Sequence, residues 1–367
     1  MRAARALICL VALVLALVLL STVLLLPSGT DTGRMLAGRD TAGAFAQNIR
    51  NRIADGVQDI AKVEKNYWIA PEDTAPEPDP ECFGATGEPS ELEWLLEEAW
   101  QVLEGQETLF SPEVEILPGS QVEYYLDETI LTITWKEKVE NMAVTYSEVK
   151  IMDPSQFRRY LSGGEFGSGK LLLTTEMSQS VHAVVAYSAD YYGYRPDGTV
   201  IVDGQAKRPG LALPDSCYVD KDGNLFMTHN QWFSSLEQTQ DFVDENNVNF
   251  SLCFGPALVE DGKRCQLGSY PIGEGDQKYA RAAIAQLDKL HYLYVACNLE
   301  GSCWDVPTIN RFADLLLETG CRQAYNLDGG QTATVVVNGE VFNMVNYGSQ
   351  RRISDIIYFA TAKPREE

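Results

Sequence analysis

The sequence predicts an α+β body, a large mixed and mainly antiparallel sheet with flanking helices, preceded by a transmembrane helix and a helical stalk. Three observations carry that expectation. Strand-like runs rich in β-branched and aromatic residues begin at Val122. Turn dipeptides (Asp197-Gly198, Asp203-Gly204, Asp222-Gly223, Asp261-Gly262 and Asn338-Gly339) punctuate the chain between apolar or alternating runs. An uncharged, Leu- and Val-rich stretch lies near the N-terminus.

In chain order, residues 1–5 form a short tail with Arg2 and Arg5, and Ala6 to Leu26 carries no charge. About 20 apolar residues suit a helix across the ~30 Å hydrocarbon core of a bilayer. A cleaved signal peptide has a shorter apolar core and a small-x-small cleavage site. This stretch is long and ends in Leu24-Leu25-Leu26-Pro27. An uncleaved signal anchor over residues 6–26 is therefore expected. Arg34 and Arg39 offset Arg2 and Arg5, which leaves the positive-inside rule near neutral. The shortness of the tail places it in the cytoplasm, making a single-pass cell-membrane protein with its C-terminal domain extracytoplasmic.

Residues 27–105 read as the stalk. Phe45, Ile49, Ile53, Val57, Ile60 and Val63 recur at helical spacing between Ala42 and Tyr67. Ala70 to Pro89 then mixes Pro71, Pro76, Pro78, Pro80 and Pro89 with acidic residues, a semi-rigid linker composition. A second helix opens at Ser90, with Glu93 completing a capping-box pattern, and carries a Leu92, Leu95, Leu96, Ala99 and Leu103 stripe up to Gly105. Residues 106–362 form the main domain. Thr129 to Trp135 and Met142 to Ile151 read as strands, and Asp-Gly or Asn-Gly between such runs is the strongest short-range hairpin signal. A helix from about Pro307 to Thr319 stops at Gly320.

Composition excludes some functions. A net charge of −23 argues against a nucleic-acid partner, which needs a basic surface, and against a polybasic hold on anionic lipid. Between Asn66 and Trp135 there is no Lys or Arg, which reads as a solvated, self-repelling stretch. The cysteines show no CxxC pair and no interleaved His, so zinc is not expected. Extracellular disulfides and buried free thiols both remain open. His182, His229 and His291 are scattered, with no Gly-x-Ser-x-Gly to support a triad. Asp220-Lys221-Asp222-Gly223-Asn224 lacks the full ligand series of a calcium loop and reads as a hairpin turn. No metal and no cofactor is expected.

The most informative segment is Asn326-Leu327-Asp328-Gly329-Gly330, where an apolar strand ends on a carboxylate and two glycines let the backbone turn tightly. Followed by Val335-Val336-Val337, it resembles the signature of the phosphodiester glycosidase family. Four further segments resemble that family in order: Ala183 to Gly193 with Asp190; Phe254-Gly255-Pro256-Ala257-Leu258-Val259 with Asp261-Gly262-Lys263; Arg281-Ala282-Ala283-Ile284; and Arg351 with Ile353-Ser354-Asp355. The likeness runs from about Val149 to Ala360. The chain departs from the family pattern at Ser188-Ala189, Ala280 to Ala285, Cys297-Asn298-Leu299 and Gln331-Thr332-Ala333.

The resemblance implies a hydrolase cleaving glycosyl (sugar-1-) phosphodiester bonds, with a sugar phosphate or an envelope glycopolymer as substrate. Such chemistry needs a proton donor for the departing phosphate oxygen and a group that activates water or stabilises an oxocarbenium-like centre. It also needs a cation on the phosphate, best supplied by a planar guanidinium. The implied catalytic carboxylates are Asp190 and Asp328. Substrate would be held by Arg281 and Arg351, by backbone amides at Gly329 and Gly330, and by Ser188 and Thr332 in place of lost family polar groups. The departures point to an alternative: a non-catalytic carbohydrate-binding or scaffold protein that retains the fold.

Overall fold

A computed structural model describes residues 66–210, 215–267 and 277–364. They belong to one compact unit, Asn66–Glu367. The expected tail, membrane helix and first part of the stalk, up to residue 65, lie outside the described residues. Among the described residues no helix is long and apolar enough to cross a membrane.

Two antiparallel sheets packed face to face build the body. The nine-stranded sheet runs Lys263–Arg264, Ala257–Glu260, Gln323–Leu327, Arg281–Asp288, His291–Asn298, Met142–Ile151, Ile130–Val139, Val122–Leu126, Phe83–Thr86. The five-stranded sheet runs Glu340–Val341, Val335–Val337, Val185–Ser188, Asp355–Phe359, Phe157–Leu161. A three-stranded sheet, Leu225–His229, Asp215–Asp220, Val248–Leu252, closes one side of the space between them. The single large mixed sheet expected from the sequence is thus divided. Every pairing of named strands among the described residues is antiparallel, and the parallel contact is an isolated Met142–Asp305 bridge.

Side-chain alternation explains the layering. In the strand Arg281–Asp288, Ala282 and Ile284 face the inter-sheet core with Tyr187, Val335, Ile357 and Phe359. Ala283 and Ala285 face the opposite way, under the helix Ile309–Glu318 with its buried Phe312, Ala313 and Leu316. Met142–Ile151 is buried at every position because both its faces are covered. The helix Ile309–Glu318 starts after the Thr308 cap, whose hydroxyl accepts from Arg311 N at 3.2 Å, and ends before Gly320 at φ +76°, close to the sequence expectation. Four of the five turn dipeptides lie between paired antiparallel strands, the exception being Asp197-Gly198.

The stalk expected over 27–105 differs from the structure from residue 66 onward. Tyr67–Trp68 pairs with Lys363–Pro364. The Pro-rich segment lies along the five-stranded sheet, its Ala70, Pro71 and Asp73 carbonyls accepting from the Arg158 guanidinium. Phe83–Thr86 is the edge strand of the large sheet. The helix Pro89–Val102, begun by Glu88 without a side-chain cap bond, buries Leu92, Leu95 and Ala99 against that sheet. The physical reason is simple. Proline removes backbone donors but leaves every carbonyl free, so a Pro/Glu composition reports the loss of ladder pairing, not the loss of contacts.

Candidate active site

The strand Gln323–Leu327 delivers Asp328 to the place where the two sheets meet, and Asp328 N donates to Ala189 O at 3.2 Å. Gly329 follows because nothing larger fits: a Cβ there would lie 2.3 Å from Ala280 O. Gly330, at φ +64°, donates its amide to the same carbonyl at 2.8 Å. The two glycines therefore wrap around the head of the strand Arg281–Asp288, and the Gly330 amide is engaged by protein instead of being open to a ligand. Thr332, in the next turn, donates its hydroxyl and amide to Gly329 O, which keeps that hydroxyl next to the Asp328 carboxyl.

Burial raises the Asp328 carboxyl to about 7, against the opposing pull of Thr332 and of the Arg351 and Arg195 charges, with Asp190 pushing it up. A carboxylic acid so tuned carries a proton in a large share of molecules at neutral pH, the state a general acid needs.

Asp190 is almost wholly buried beside it, and its oxygens are already taken up. Oδ1 accepts from Tyr191 N at 2.7 Å, and Oδ2 accepts from Cys253 N at 2.9 Å and faces Arg159 Nη2 at 3.5 Å. Arg159 in turn pairs with Asp355 at 2.7 Å and donates to Ser251 O. This Arg159–Asp355–Asp190 cluster joins the five-stranded sheet to the three-stranded one beneath the site. Burial raises the Asp355 carboxyl while Arg159 opposes the rise. Asp190 thus acts on Asp328 as a neighbouring charge from within a fixed network.

Two guanidinium groups reach the opening. Arg351 lies 5.6 Å from the Tyr191 ring and 4.7 Å from the Tyr194 ring. Arg195 lies 5.5 Å from Tyr191 and 5.0 Å from Phe254, and its buried Nη2 has no hydrogen-bond partner among the described residues. Both act on Asp328 as charges. A buried donor left unmatched costs about 1–3 kcal/mol, and Arg195 Nη2 has capacity for one more acceptor.

The other two expected residues are placed differently. Ser188 is buried between the sheets, where its hydroxyl meets Tyr294 Oη at 3.2 Å and accepts from Thr334 N at 3.2 Å. Arg281 begins its strand opposite Asp328, one step beyond the Ala282–Leu327 pair, but its guanidinium donates to Gln277 O at 3.1 Å and lies over the Tyr279 ring. Sequence reasoning missed Arg195, Tyr194 and Arg159. The run Asp190-Tyr191-Tyr192-Gly193-Tyr194-Arg195, aromatic residues around a glycine and ending on a cation, was the available signal for the first two. A cavity of about 650 Å³ lined by Asp222, Gln286, Lys289 and Arg322 lies at the Asp288 end of the strand Arg281–Asp288, the end away from this site.

An acid-tuned carboxyl, two arginines and stacked tyrosines lie together at the junction of two antiparallel sheets. Residues 179–360 match the family model of the phosphodiester glycosidases, and the chain carries a domain of that family. The SPbeta prophage-derived uncharacterized protein YomE of Bacillus subtilis (strain 168) is 24% identical over 253 residues, 64% of this chain and 36% of that protein. The chain thus spans little more than a third of that relative. The zebrafish N-acetylglucosamine-1-phosphodiester alpha-N-acetylglucosaminidase catalytic domain, solved auto-inhibited by its pro-peptide, shares the fold with a TM-score of 0.51 at 17% identity, over 63% of this chain and 83% of that one. A hypothetical protein from Synechocystis gives a TM-score of 0.46 at 15% identity, over 65% and 63% of the two chains.

Proposed function

We propose that this protein is a membrane-anchored, extracytoplasmic hydrolase of glycosyl (sugar-1-) phosphodiester bonds, acting on an envelope polysaccharide or related glycopolymer. The observation that carries the reading is the convergence of Asp328 with Arg195 and Arg351 around Tyr191. The two guanidinium groups bind the phosphate oxygens, and the aromatic walls take the apolar face of a sugar. Protonated Asp328 gives its proton to the departing phosphate oxygen as the bond from that oxygen to the anomeric carbon breaks. Water adds to the same carbon, and the proton it loses restores the acid. Asp190 holds the local field and geometry.

The rival is a glycan-binding protein without turnover. It is favoured by the Gly330 amide, Ser188 and Asp190, all of which are engaged within the protein. The test is to incubate the full chain with a panel of sugar-1-phosphate methyl diesters and follow released reducing sugar. Release supports the hydrolase. Binding of the same diesters without release from any of them moves the conclusion to the rival.

A further inference from the structure

We infer that Arg208 is the positioning residue for Arg195, gripping the backbone of loop 192–198 so that the Arg195 guanidinium is presented to an anion. This rests on the reading that Arg195 binds the phosphate, and names the group that sets its place. One guanidinium meets four carbonyls of the loop. Arg208 Nε donates to Gly198 O at 2.9 Å, Nη1 to Tyr192 O at 3.0 Å and Arg195 O at 2.8 Å, and Nη2 to Asp197 O at 2.6 Å. Between the strands Val185–Ser188 and Val200–Val202 the chain forms no helix or strand, so these bonds stand where a ladder would.

The grip is itself fixed. Arg208 ends the strand Gln205–Arg208, which turns back through Asp203-Gly204 and pairs with Val200–Val202, the strand the loop runs into. Gln240, on the helix Leu236–Glu245, accepts from Ala206 N at 3.0 Å and donates to Gly204 O at 3.1 Å, holding both the turn and the strand. At the start of the loop a Cβ on Gly193 would come within 2.7 Å of the Ser354 Cβ, and Tyr194 Oη donates to Arg352 O at 2.7 Å. The Arg195 side chain leaves this frame to lie between the Tyr191 and Phe254 rings. Its backbone and its guanidinium are thus both placed before any anion arrives.

Satisfying loop carbonyls does not by itself call for an arginine. Carbonyls on a surface loop find water at little cost. Arg208 is half-buried, and that burial works against its charge, with Asp190 opposing as a nearby anion. What the guanidinium adds is shape. Its planar fork of five donors holds several carbonyls in one fixed arrangement, whereas the three donors of a lysine radiate from a single atom. Fixing the loop in advance lowers the ordering cost of binding at Arg195.

The experiment is a double-mutant cycle on the full chain, with a sugar-1-phosphate methyl diester as the probe. Arg208→Lys keeps the charge and loses the fork. It should raise KM roughly tenfold with kcat within about twofold of wild type, because ground state and transition state lose the same phosphate contact. In an Arg195→Gln background the same change should raise KM by less than about twofold, since nothing is left to position. A structural arginine would instead lower kcat through inactive protein at unchanged KM, or multiply the effect of Arg195→Gln. Either result overturns the proposal, as does a wild-type KM in Arg208→Lys. If Arg208→Lys does not fold, Arg208→Gln, which still donates two bonds, is read in the same way. Failure of both to fold assigns Arg208 a structural role and overturns the proposal. If the diester is not hydrolysed, the function reading fails, and the calorimetric Kd of the same diester carries the cycle. Non-additive changes in Kd uphold the positioning role. Additive changes, or no binding by wild type, overturn it.

Discussion

Asp328 is where several weak forces add up to one chemical property. Desolvation raises its carboxyl, while Thr332, Arg351 and Arg195 stop the rise at about 7. If its proton drives departure of the phosphate, kcat should fall as pH rises through about 7. Asp328→Asn should remove about 10²–10⁴-fold of the rate while leaving the melting temperature nearly unchanged, because Asn accepts the same turn geometry. Turnover equal to wild type would remove Asp328 from the mechanism. Arg195→Gln and Arg351→Gln should each raise KM for a phosphodiester by about 10–100-fold, the worth of a charge-assisted hydrogen bond. Arg281→Gln should change KM much less, since its guanidinium is held by Gln277 O and the Tyr279 ring. A larger effect at Arg281 than at Arg195 would reverse that ordering. The sequence made Asp328 legible through its two glycines. Arg195 was only faintly legible, through the aromatic run that precedes it, because an arginine before Pro196-Asp197-Gly198 reads as a turn residue until Tyr191 and Phe254 are seen to hold it.

At the scale of elements, the first described segments are structural parts of the body. Phe83–Thr86 supplies the last ladder of the nine-stranded sheet, and Leu92, Leu95 and Ala99 cover its helical face. Apolar burial is worth ~25 cal/mol per Å². A chain shortened to begin at Ser90 loses both the edge strand and the segment held by Arg158, and should melt well below one beginning at Asn66. Protease should likewise spare the stretch from Ala70 to Pro89 in the folded protein. Rapid cutting there with the body left folded would restore the linker reading. Sequence periodicity served best where an element satisfies itself locally, as in the Ile309–Glu318 helix with its Thr308 cap and Gly320 stop. It served least where an irregular segment is held by a partner such as Arg158, 85 to 88 residues away.

Across the whole molecule, two charged clusters tie the three-stranded sheet to its neighbours, and they respond to pH differently. Arg159, Asp355 and Asp190 form the buried one; removing the arginine leaves two buried carboxyls unmatched, which costs about 3–5 kcal/mol. Arg159→Met should therefore lower the urea midpoint sharply at pH 8 and less at pH 5, where the Asp355 carboxyl, raised by burial, takes up a proton more readily. His229 is the exposed tie, bonded to Asp215 at 2.6 Å and Glu260 at 2.9 Å. Hydrogen bonds to those carboxylates raise its imidazole above the ordinary value of about 6.5. Its contribution is fully present below that ordinary value and fades as pH rises through the raised one, and solvent keeps it small. Urea midpoints of wild type and His229→Gln should converge as pH rises from about 6 to 8.5, and parallel curves would dismiss the tie.

By itself the sequence determined what depends on neighbours a few residues apart: which runs are strands, where hairpins turn, where the last helix starts and stops, and that Asp328 stands at a strand end before two glycines. Those properties follow from backbone sterics and side-chain period, both of which operate over two to four residues. Tertiary structure alone decided that one sheet becomes two, that residues 66–105 join the body, and that Ser188 faces the core. It also decided that Arg159 reaches Asp355 across 196 residues of chain, and that Arg195 shares Tyr191 with Arg351. These pairings are chosen by burial and charge between surfaces distant in sequence, and no local pattern encodes which surfaces will meet.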